Sequence, residues 1–402
     1  MAGRAARLQY PRRPPHRSHA RRLPRHPQHR IDRPSRTALL AALQEPQPPL
    51  HQPGARRPQT PQRSTVTLDH LTRQYSERLG VLTAAQLQAA LDRFDLGELL
   101  DATSASGGVN GQNVVLTSTS GQYILRGLPL YDWQLAKERF FAELIHERTD
   151  VPVPLPYLIE ESPDLFGWSY AIMPRLPGLP LADPAVRNNL DESERLAIAG
   201  ALGRTLAALH EITWPEWGEY YLATNTITPI ETSFRDWTLA RVEREIDDCV
   251  SLPVLTPADL LWCRELVQQN ADSLDIPVQP TLVHHDYKEG NVVVQQTGDS
   301  WDVSGLFDLV ECYFGDPEED FVRCVSGYQQ ERSDSPLSKA FLHAYSDIKP
   351  LRPNYRERFA IYMLRDCLLI WAFGHRDGRN WFRASQSFRA FAEPHVLSDP
   401  FP

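Results

Sequence analysis

The sequence predicts an α+β protein with two lobes: a small N-terminal antiparallel sheet lobe with one helix, and a larger, mainly α-helical C-terminal lobe. Three observations support this prediction. The chain has 402 residues, of which 42% are hydrophobic, enough to bury a large core. The order strand, turn, strand, helix, strand fits residues 113–173. Long helical patterns dominate after Gly178.

Residues 1–65 differ in composition from the rest of the chain. They contain twelve of the 34 prolines, and residues 1–63 contain fourteen arginines but only two acidic residues. Such a segment cannot bury enough apolar surface to offset its ordering entropy, so we expect a disordered extension. Its charge could attract nucleic acid or an anionic surface. Because it has no recognisable reader motif, we favour a plain extension and consider nucleic-acid binding unlikely to be its role.

Charge and cysteine usage restrict the class of protein. The whole chain carries −9 and residues 1–63 carry +12, so the remainder sums to −21. The five cysteines are odd in number and form no C-x-x-C pair, which indicates buried thiols in a reducing compartment. No apolar run approaches the ~20 residues of a membrane span, and the N-terminus lacks a secretory apolar segment. We expect a cytoplasmic protein without a membrane partner, and the sequence does not indicate its oligomeric state.

Residues 66–173 are expected to form the N-terminal lobe. The leucines of residues 76–100 recur at helical spacing, whereas later runs alternate around a turn containing Gly121. The expected elements are, in order, a helix within 76–100, strands at 113–117 and 122–126, a helix at 132–148 and a strand at 169–173.

A hinge at 174–178 is expected to lead into the C-terminal lobe, residues 179–402. Asp191 with Glu194 three residues later has the pattern of a helix-capping box. The expected helices span 191–212, 234–249, 257–272 and 355–373. Two short β runs, 292–294 and 303–307, bracket a turn and predict a second hairpin.

The residues best suited to chemistry lie in the run His284-His285-Asp286-Tyr287-Lys288-Glu289-Gly290-Asn291, followed by the second hairpin and Asp308. Phosphoryl transfer from a nucleoside triphosphate needs a carboxylate near the attacking hydroxyl and oxygen ligands for Mg²⁺. Asp286 and Asn291 could supply these, and the hairpin would return Asp308 to the same place. The alternatives are solvated loop acids or a His-Asp metal site. The latter would need further helix-borne histidines at ligand spacing.

The pattern H-x-D-x-x-x-x-N, a hydrophobic hairpin and then Asp resembles the catalytic and metal loops of the aminoglycoside phosphotransferase family. The resemblance implies a protein-kinase-like fold, with Asp286 as catalytic base and Asn291 and Asp308 as Mg²⁺ ligands. It also implies that His284 braces the loop. Gly315-Asp316-Pro317 and Asp320 match the family's G-D-P-x-x-D segment, in which Asp316 would support the catalytic loop.

Two positions depart from the family pattern. His285 stands where the family usually has Gly, and Lys288 stands where it often has His. Lys288 resembles instead the lysine two residues after the catalytic Asp of Ser/Thr protein kinases, where it would steady the transferred phosphoryl group. Asp308-Leu309-Val310-Glu311 is not D-F-G, and no A-P-E segment is present, so protein kinase activity is disfavoured.

Two further segments are candidates for nucleotide binding. Gly107, Gly108 and Asn110 could bring backbone N–H groups to the phosphates, although a plain turn is the alternative interpretation. By resemblance, Arg126 would face the α and β phosphates. Glu138 resembles the acid that pairs with this basic residue, with a surface helix acid as the alternative.

Residues 171–178 resemble the hinge between the two lobes of the family. Met173 would then lie in the nucleotide site. The adenine would bond the carbonyl of Pro174 and the N–H of Leu176. Proline costs nothing at this position because only its carbonyl is used.

The resemblance implies ATP- and Mg²⁺-dependent phosphorylation of a small-molecule hydroxyl, with GTP as the other possible donor. The acceptor could be aminoglycoside-like, an amino sugar, an amino alcohol or a related metabolite. Acidic residues near the catalytic loop favour a cationic acceptor, but a solvated acidic face explains them equally well: Glu311, Glu318, Glu319 and Asp320. The rival interpretation is a nucleotide-binding pseudokinase or scaffold whose basic tail engages a partner. The intact Asp286, Asn291 and Asp308 argue against it.

Overall fold

The structure begins with a short hairpin and a helix. A computed structural model of the chain describes residues 68–105, 111–331, 335–378 and 385–401. Strands β1 (Arg73–Ser76) and β2 (Gly80–Leu82) pair antiparallel and lead into helix α1 (Ala84–Asp92). Thr83 caps α1 in a reciprocal capping box with Gln86. The helix predicted within 76–100 is therefore partly wrong: Gly80, at φ +69°, turns the chain, and the helix is confined to α1.

A five-stranded antiparallel sheet forms the centre of the N-terminal part. Its strand order is β3-β4-β5-β7-β6. The predicted hairpin is β4 paired with β5, and the predicted third strand is β7. Two strands that the sequence pattern did not indicate, β3 and β6, extend the sheet at its edges. The five strands are β3 (Leu99–Ser104), β4 (Asn113–Ser118), β5 (Gly121–Gly127), β6 (Leu158–Glu160) and β7 (Tyr170–Pro174).

The two helices expected in this part of the chain are both present, but they join different cores. Leu87 and Leu91 of α1 are buried against sheet residues such as Leu116. The predicted second helix, α2 (Gln134–Arg148), instead turns Phe141 and Ile145 into the core of the C-terminal lobe. Helix α2 therefore connects the five-stranded sheet with the helical lobe. This packing positions the side chains on the other face of α2.

The C-terminal lobe is mainly helical, as predicted. The expected capping box is present, because the N–H of Glu194 donates to Asp191 and the N–H of Asp191 donates to Glu194. Four of the eight helices match the four that were predicted, namely α4, α5, α6 and α9. The described helices are α3 (Pro184–Asn189), α4 (Glu192–Leu209), α5 (Phe234–Ser251), α6 (Pro257–Asn270), α7 (Phe321–Glu331), α8 (Pro336–Ser346), α9 (Tyr355–Arg376) and α10 (Phe388–Val396).

Two small sheets within this lobe position the catalytic loop. One has the order β13-β12-β8 and contains the predicted second hairpin. The other has the order β10-β9-β14-β11 and was not predicted. The loop at 284–291 joins one sheet to the other, and Asp308 lies two residues after the end of β13. The strands are β8 (Leu179–Pro180), β9 (Gly218–Tyr221), β10 (Thr226–Pro229), β11 (Thr281–Val283), β12 (Val292–Thr297), β13 (Ser300–Leu306) and β14 (Tyr313–Gly315).

A glycine permits the close approach of two segments beside the hinge. Gly178 has φ +122°, and a Cβ there would lie 2.7 Å from the carbonyl oxygen of Val294. Strand β8, which starts at the next residue, pairs with β12. The chain that leaves the N-terminal sheet is thus fastened to the strand that follows the catalytic loop.

Other sequence expectations concern burial and the membrane. Cys249, Cys263, Cys312, Cys324 and Cys367 are all buried and free, as expected. No helix in the described ranges is both long enough and apolar enough to cross a bilayer. The extension 1–65 and the glycine segment 106–110 lie outside the described residues, and the boundaries placed at 173 and 178 stay predictions.

Candidate active site

The backbone of the catalytic loop is held by one buried carboxylate. Asp320 accepts the N–H of His284 at 2.8 Å and the N–H of His285 at 2.6 Å. Its own position is fixed by His210, whose Nε2 lies 3.1 Å from Asp320 Oδ2. Nδ1 of His210 lies 2.9 Å from the Tyr345 hydroxyl. Because charge-assisted bonds to backbone N–H groups are strong, this network fixes the loop just before Asp286.

Asp316 does not make the loop contacts that the family pattern implied. Its carboxylate accepts from the Tyr362 hydroxyl at 2.7 Å, pairs with Arg352 and caps the N–H of Glu318. The structure therefore corrects the assignment: the carboxylate that supports the loop is Asp320, and Asp316 fixes the segment that carries it. Both acids belong to the same motif, and the sequence alone did not reveal which one faces the loop.

His284 braces the loop from within, as the resemblance implied. The side chain is fully buried. Its Nδ1 accepts the N–H of Asp286 at 3.3 Å, so its Nε2 is the donor to the Phe307 carbonyl at 3.1 Å. Phe307 precedes Asp308. The imidazole thus links the segment of the expected base with the segment of the expected metal ligand.

The Asp286 carboxylate is surrounded by donors and cations. Lys288 Nζ lies 2.8 and 2.7 Å from its two oxygens, and Asn291 Nδ2 donates to Oδ2 at 2.8 Å. Arg323 Nε lies 3.5 Å from Oδ1. Burial opposes ionisation of Asp286, but the charges of Arg323 and Lys288 outweigh it and lower its pKa. The group is therefore a carboxylate at neutral pH.

The two expected Mg²⁺ ligands lie at the two ends of the second hairpin, Asn291 before β12 and Asp308 after β13. Asn291 uses its Nδ2 to bond Asp286, so its Oδ1 is directed elsewhere. Asp308 adopts a left-handed conformation with φ 65° and binds Arg126 through Oδ1. One amide and one carboxylate oxygen suit Mg²⁺, which takes few protein ligands and keeps water or phosphate oxygens. No group of three or more His, Cys, Asp or Glu residues within the described ranges offers another metal site.

Arg126 forms a buried ion-pair chain with the two acids expected near it. Its Nη2 lies 2.9 Å from Glu138 Oε1 and 2.7 Å from Asp308 Oδ1. Burial opposes the charge of Arg126, but Glu138 and Asp308 outweigh it and raise its pKa. Glu138 is only 3% exposed and also accepts from the Tyr157 hydroxyl at 2.8 Å. The alternative of a surface helix acid at 138 is thus excluded.

The structure describes the expected hinge but not the expected glycine segment. Pro174 ends β7 opposite Tyr123, and Met173 is buried. The N–H of Leu176 has no hydrogen-bond partner among the described residues, so it is free to bond a ligand. Gly107, Gly108 and Asn110 fall in the gap between β3 and β4, outside the described residues. Their proposed contact with phosphates stays a prediction.

His285 is a site residue that sequence reasoning did not assign. It has φ 69°, a backbone conformation that explains why glycine suits this position. Its Nε2 lies 3.0 Å from Arg241 Nη2 and 2.7 Å from Arg365 Nη1, so it accepts from both. Burial and the charges of Arg365 and Arg241 hold the pKa of His285 well below its ordinary value. The departure from glycine was the only signal in the sequence.

The structure also adds Arg323 and Asp366 to the residues of the site. Arg323 lies on α7 and Asp366 on α9, and Arg323 Nε lies 2.8 Å from Asp366 Oδ1. The same Nε faces Asp286. Neither residue belongs to a recognisable motif, and only the fold brings them beside the catalytic loop.

The acidic residues that favoured a cationic acceptor already have internal partners. Glu319 pairs with Arg241 at 3.1 Å, and Glu318 pairs with Arg358 at 2.8 Å. Asp320 is used by the loop backbone. Of the four acids, only Glu311 is exposed. The buried carboxylates balance buried arginines, which removes the main charge argument for a cationic acceptor.

Most residues of this site fall within a match to a protein-family model; Arg365 and Asp366 lie beyond its end. The model described as "Phosphotransferase enzyme family" matches residues 101–358. This range includes the catalytic loop, Asp308, Arg126 and Glu138.

Curated relatives include kinases of two kinds. The chain is 26% identical over 314 residues to the homoserine kinase of Paraburkholderia xenovorans, covering 72% of this chain and 85% of the relative. It is 23% identical over 300 residues to the homoserine kinase of Neisseria meningitidis, covering 71% and 86%. It is 27% identical over 213 residues to the viomycin phosphotransferase of Streptomyces vinaceus, covering 49% and 64%.

Solved structures share the fold. A thermostable mutant of aminoglycoside phosphotransferase APH(4)-Ia, in a ternary complex with ADP and hygromycin B, matches with TM-score 0.54 and 18% identity over 78% of this chain and 99% of that chain. The GDP and kanamycin complex of APH(2")-IIia matches with TM-score 0.54 and 15% identity over 78% and 98%. The chain therefore belongs to the phosphotransferase enzyme family, has the protein-kinase-like fold, and is an enzyme of the small-molecule kinase class.

Proposed function

We propose that this enzyme transfers the terminal phosphoryl group of ATP, in the presence of Mg²⁺, to a hydroxyl group of a small molecule, with Asp286 as the catalytic base. The observation that carries the proposal is the contact of Lys288 and Asn291 with the Asp286 carboxylate, together with the ion pair of Asp308 with the buried Arg126. His284 links the two segments through its hydrogen bond to the Phe307 carbonyl. Similar folds have been solved with ADP and with GDP, which supports use of a purine nucleotide.

The chemical step follows from the charge of the Asp286 carboxylate. Asp286 takes the proton of the acceptor hydroxyl, and the hydroxyl oxygen forms a bond to the γ phosphorus. The bond between that phosphorus and the bridging oxygen breaks, and ADP leaves with the bonding electrons. Lys288, whose side chain is 39% exposed, can steady the transferred group. Mg²⁺ held by Asn291 and Asp308 would neutralise phosphate charge.

Arg126 and the hinge would position the nucleotide. Arg126 is fixed by Glu138, so its guanidinium is preorganised for the α and β phosphates. The carbonyl of Pro174 and the free N–H of Leu176 would bond the base of the nucleotide. GTP is the alternative donor, and parallel assays with ATP and GTP decide between the two.

The proposal is tested by Asp286→Ala and Asp286→Asn. Loss of a general base should lower kcat by roughly 10²- to 10⁴-fold while nucleotide binding is retained. Asp299→Asn, in the exposed turn between β12 and β13, is the matched control and should keep full activity. The panel of acceptors should include homoserine, viomycin, kanamycin and simple amino alcohols. Unchanged turnover in both Asp286 variants would refute the assignment.

A further inference from the structure

An arginine beside Asp286 offers donors that the protein itself does not use. Arg323 is the third residue of α7, and its Nε faces Asp366 and Asp286. Among the described residues, none accepts a hydrogen bond from Nη1 or Nη2 of Arg323. The side chain is 19% exposed although Nε itself is buried. The exposed part therefore lies towards its terminal nitrogens.

Two other buried arginines of this region, Arg241 and Arg358, have partners within the protein at both terminal nitrogens. Arg241 donates to Tyr313, Glu319 and His285. Arg358 donates to Glu318 and to the carbonyls of Ser273, Pro353 and Arg352. Arg323 differs from Arg241 and Arg358, because its terminal nitrogens have no such partners among the described residues.

Two neighbouring buried atoms also lack hydrogen-bond partners. They are Nε of Arg365 and Oδ2 of Asp366, on residues that are 9% and 6% exposed. Buried polar atoms are nearly always satisfied, and exceptions call for an explanation such as a bound ligand. These atoms lie on α9 next to the pair of Arg323 with Asp366, so the protein's own groups do not satisfy all the polar atoms around Arg323.

The position of this region points to the acceptor. Arg323 pairs with Asp286 but forms no ion pair with Asp308 among the described residues. A side chain next to the catalytic base, and apart from the pair of Arg126 with Asp308, can contact the molecule that carries the acceptor hydroxyl. A guanidinium with two free N–H groups matches a carboxylate, which accepts two parallel hydrogen bonds.

We propose that Arg323 binds a carboxylate of the acceptor, so that the substrate class is hydroxy acids and hydroxy amino acids rather than polycationic aminoglycosides. This inference rests on the proposed phosphotransferase function. It also agrees with the internal pairing of Glu318, Glu319 and Asp320, which leaves those acids unavailable to a cation.

The test compares two acceptors that differ only by a carboxylate. L-Homoserine and 3-amino-1-propanol carry the same hydroxyl and ammonium groups. The wild-type enzyme should prefer L-homoserine by about 10- to 100-fold in kcat/KM, the value of one charge-assisted hydrogen-bonded contact. Arg323→Gln should reduce this ratio to near one, and Arg323→Lys should keep part of it.

The ratio separates binding of the carboxylate from effects on the base. Loss of Arg323 also alters the surroundings of Asp286. That change affects the kcat/KM of both acceptors, so it cancels in their ratio. Arg264→Gln is the matched control and should keep the wild-type ratio, because Arg264 is exposed and, within the described ranges, pairs with Glu243 alone. Thermal unfolding of each variant establishes that it is folded.

Equilibrium binding of the same two compounds gives a readout that does not require turnover. Calorimetric titration should show tighter binding of L-homoserine in wild type and Arg264→Gln, but not in Arg323→Gln. Carboxylate-dependent binding without phosphoryl transfer to either compound would support the subsite, whereas the proposed function is tested separately by the Asp286 variants and the acceptor panel. Equal use and equal binding of both compounds, or a preference that survives in Arg323→Gln, would overturn the inference.

Discussion

Replacing Glu138 tests whether the buried ion-pair chain fixes the nucleotide site. Its carboxylate accepts from Arg126 at 2.9 Å, Gln134 at 2.9 Å and Tyr157 at 2.8 Å. Glu138→Gln can keep these hydrogen bonds, because the Tyr157 hydroxyl can accept as well as donate. It loses only the charge, and Asp308 still balances Arg126. We expect the free energy of unfolding to fall by about 1–2 kcal/mol, the difference between charged and neutral hydrogen bonds.

Glu138→Ala should cost more, because it leaves three buried groups without this partner. Removal of one member of a buried pair typically costs about 3–5 kcal/mol, and the packed volume is also lost. Urea unfolding at pH 7 measures both variants against wild type. The surface pair of Arg93 with Glu160 provides the control, and Glu160→Gln should change stability much less.

Activity gives the second readout of the same change. Because Glu138 orients Arg126, both Glu138 variants should raise the KM for ATP and lower kcat/KM, with alanine worse than glutamine. The reasoning fails if Glu138→Ala is no less stable than Glu160→Gln, or if both Glu138 variants bind ATP as tightly as wild type.

Two further predictions concern the catalytic loop. Because its pKa is held far down by burial and by Arg365 and Arg241, His285 stays neutral in the folded protein while the unfolded chain takes up a proton below pH 6.5. The free energy of unfolding should therefore fall as the pH drops. His285→Asn should remove about 1.4 kcal/mol of the loss between pH 7.5 and 5.5, as measured by urea unfolding. An identical loss in the variant and in wild type would contradict this. Asp320→Asn should lower kcat with little change in the KM for ATP, whereas Asp316→Asn should mainly lower stability. Steady-state kinetics and thermal melts measure both variants, and equal behaviour of the two would contradict this difference in role.

The sequence revealed those parts of the fold and site whose signals are local. The second hairpin was predictable because apolar strands flank a turn at Gly298, and the loop from His284 to Asn291 because its residues keep a fixed spacing. The family resemblance correctly drew attention to Arg126 and Glu138, which the structure joins in one ion pair.

Other features depend on contacts between distant segments. Arg126 meets Asp308 across 182 residues, and Arg365 meets His285 across 80. Without the resemblance, no periodicity indicates such pairs. The sheet that contains β11 and β14 consists of strands of three or four residues, too short for a recognisable alternation. Asp320 and Asp316 could not be distinguished, because four residues of sequence do not fix which carboxylate turns towards the loop.

Helix α9 combines two tasks on one rigid element. Arg358 and Arg365 are seven residues apart, close to two helical turns, so both lie on the same side. Arg358 anchors the segment that carries Asp320, while Arg365 and Asp366 border the acceptor region. A chimera with a relative should therefore exchange residues 355–376 as a whole. A crossover inside this helix would combine the loop support of one parent with the acceptor contacts of the other.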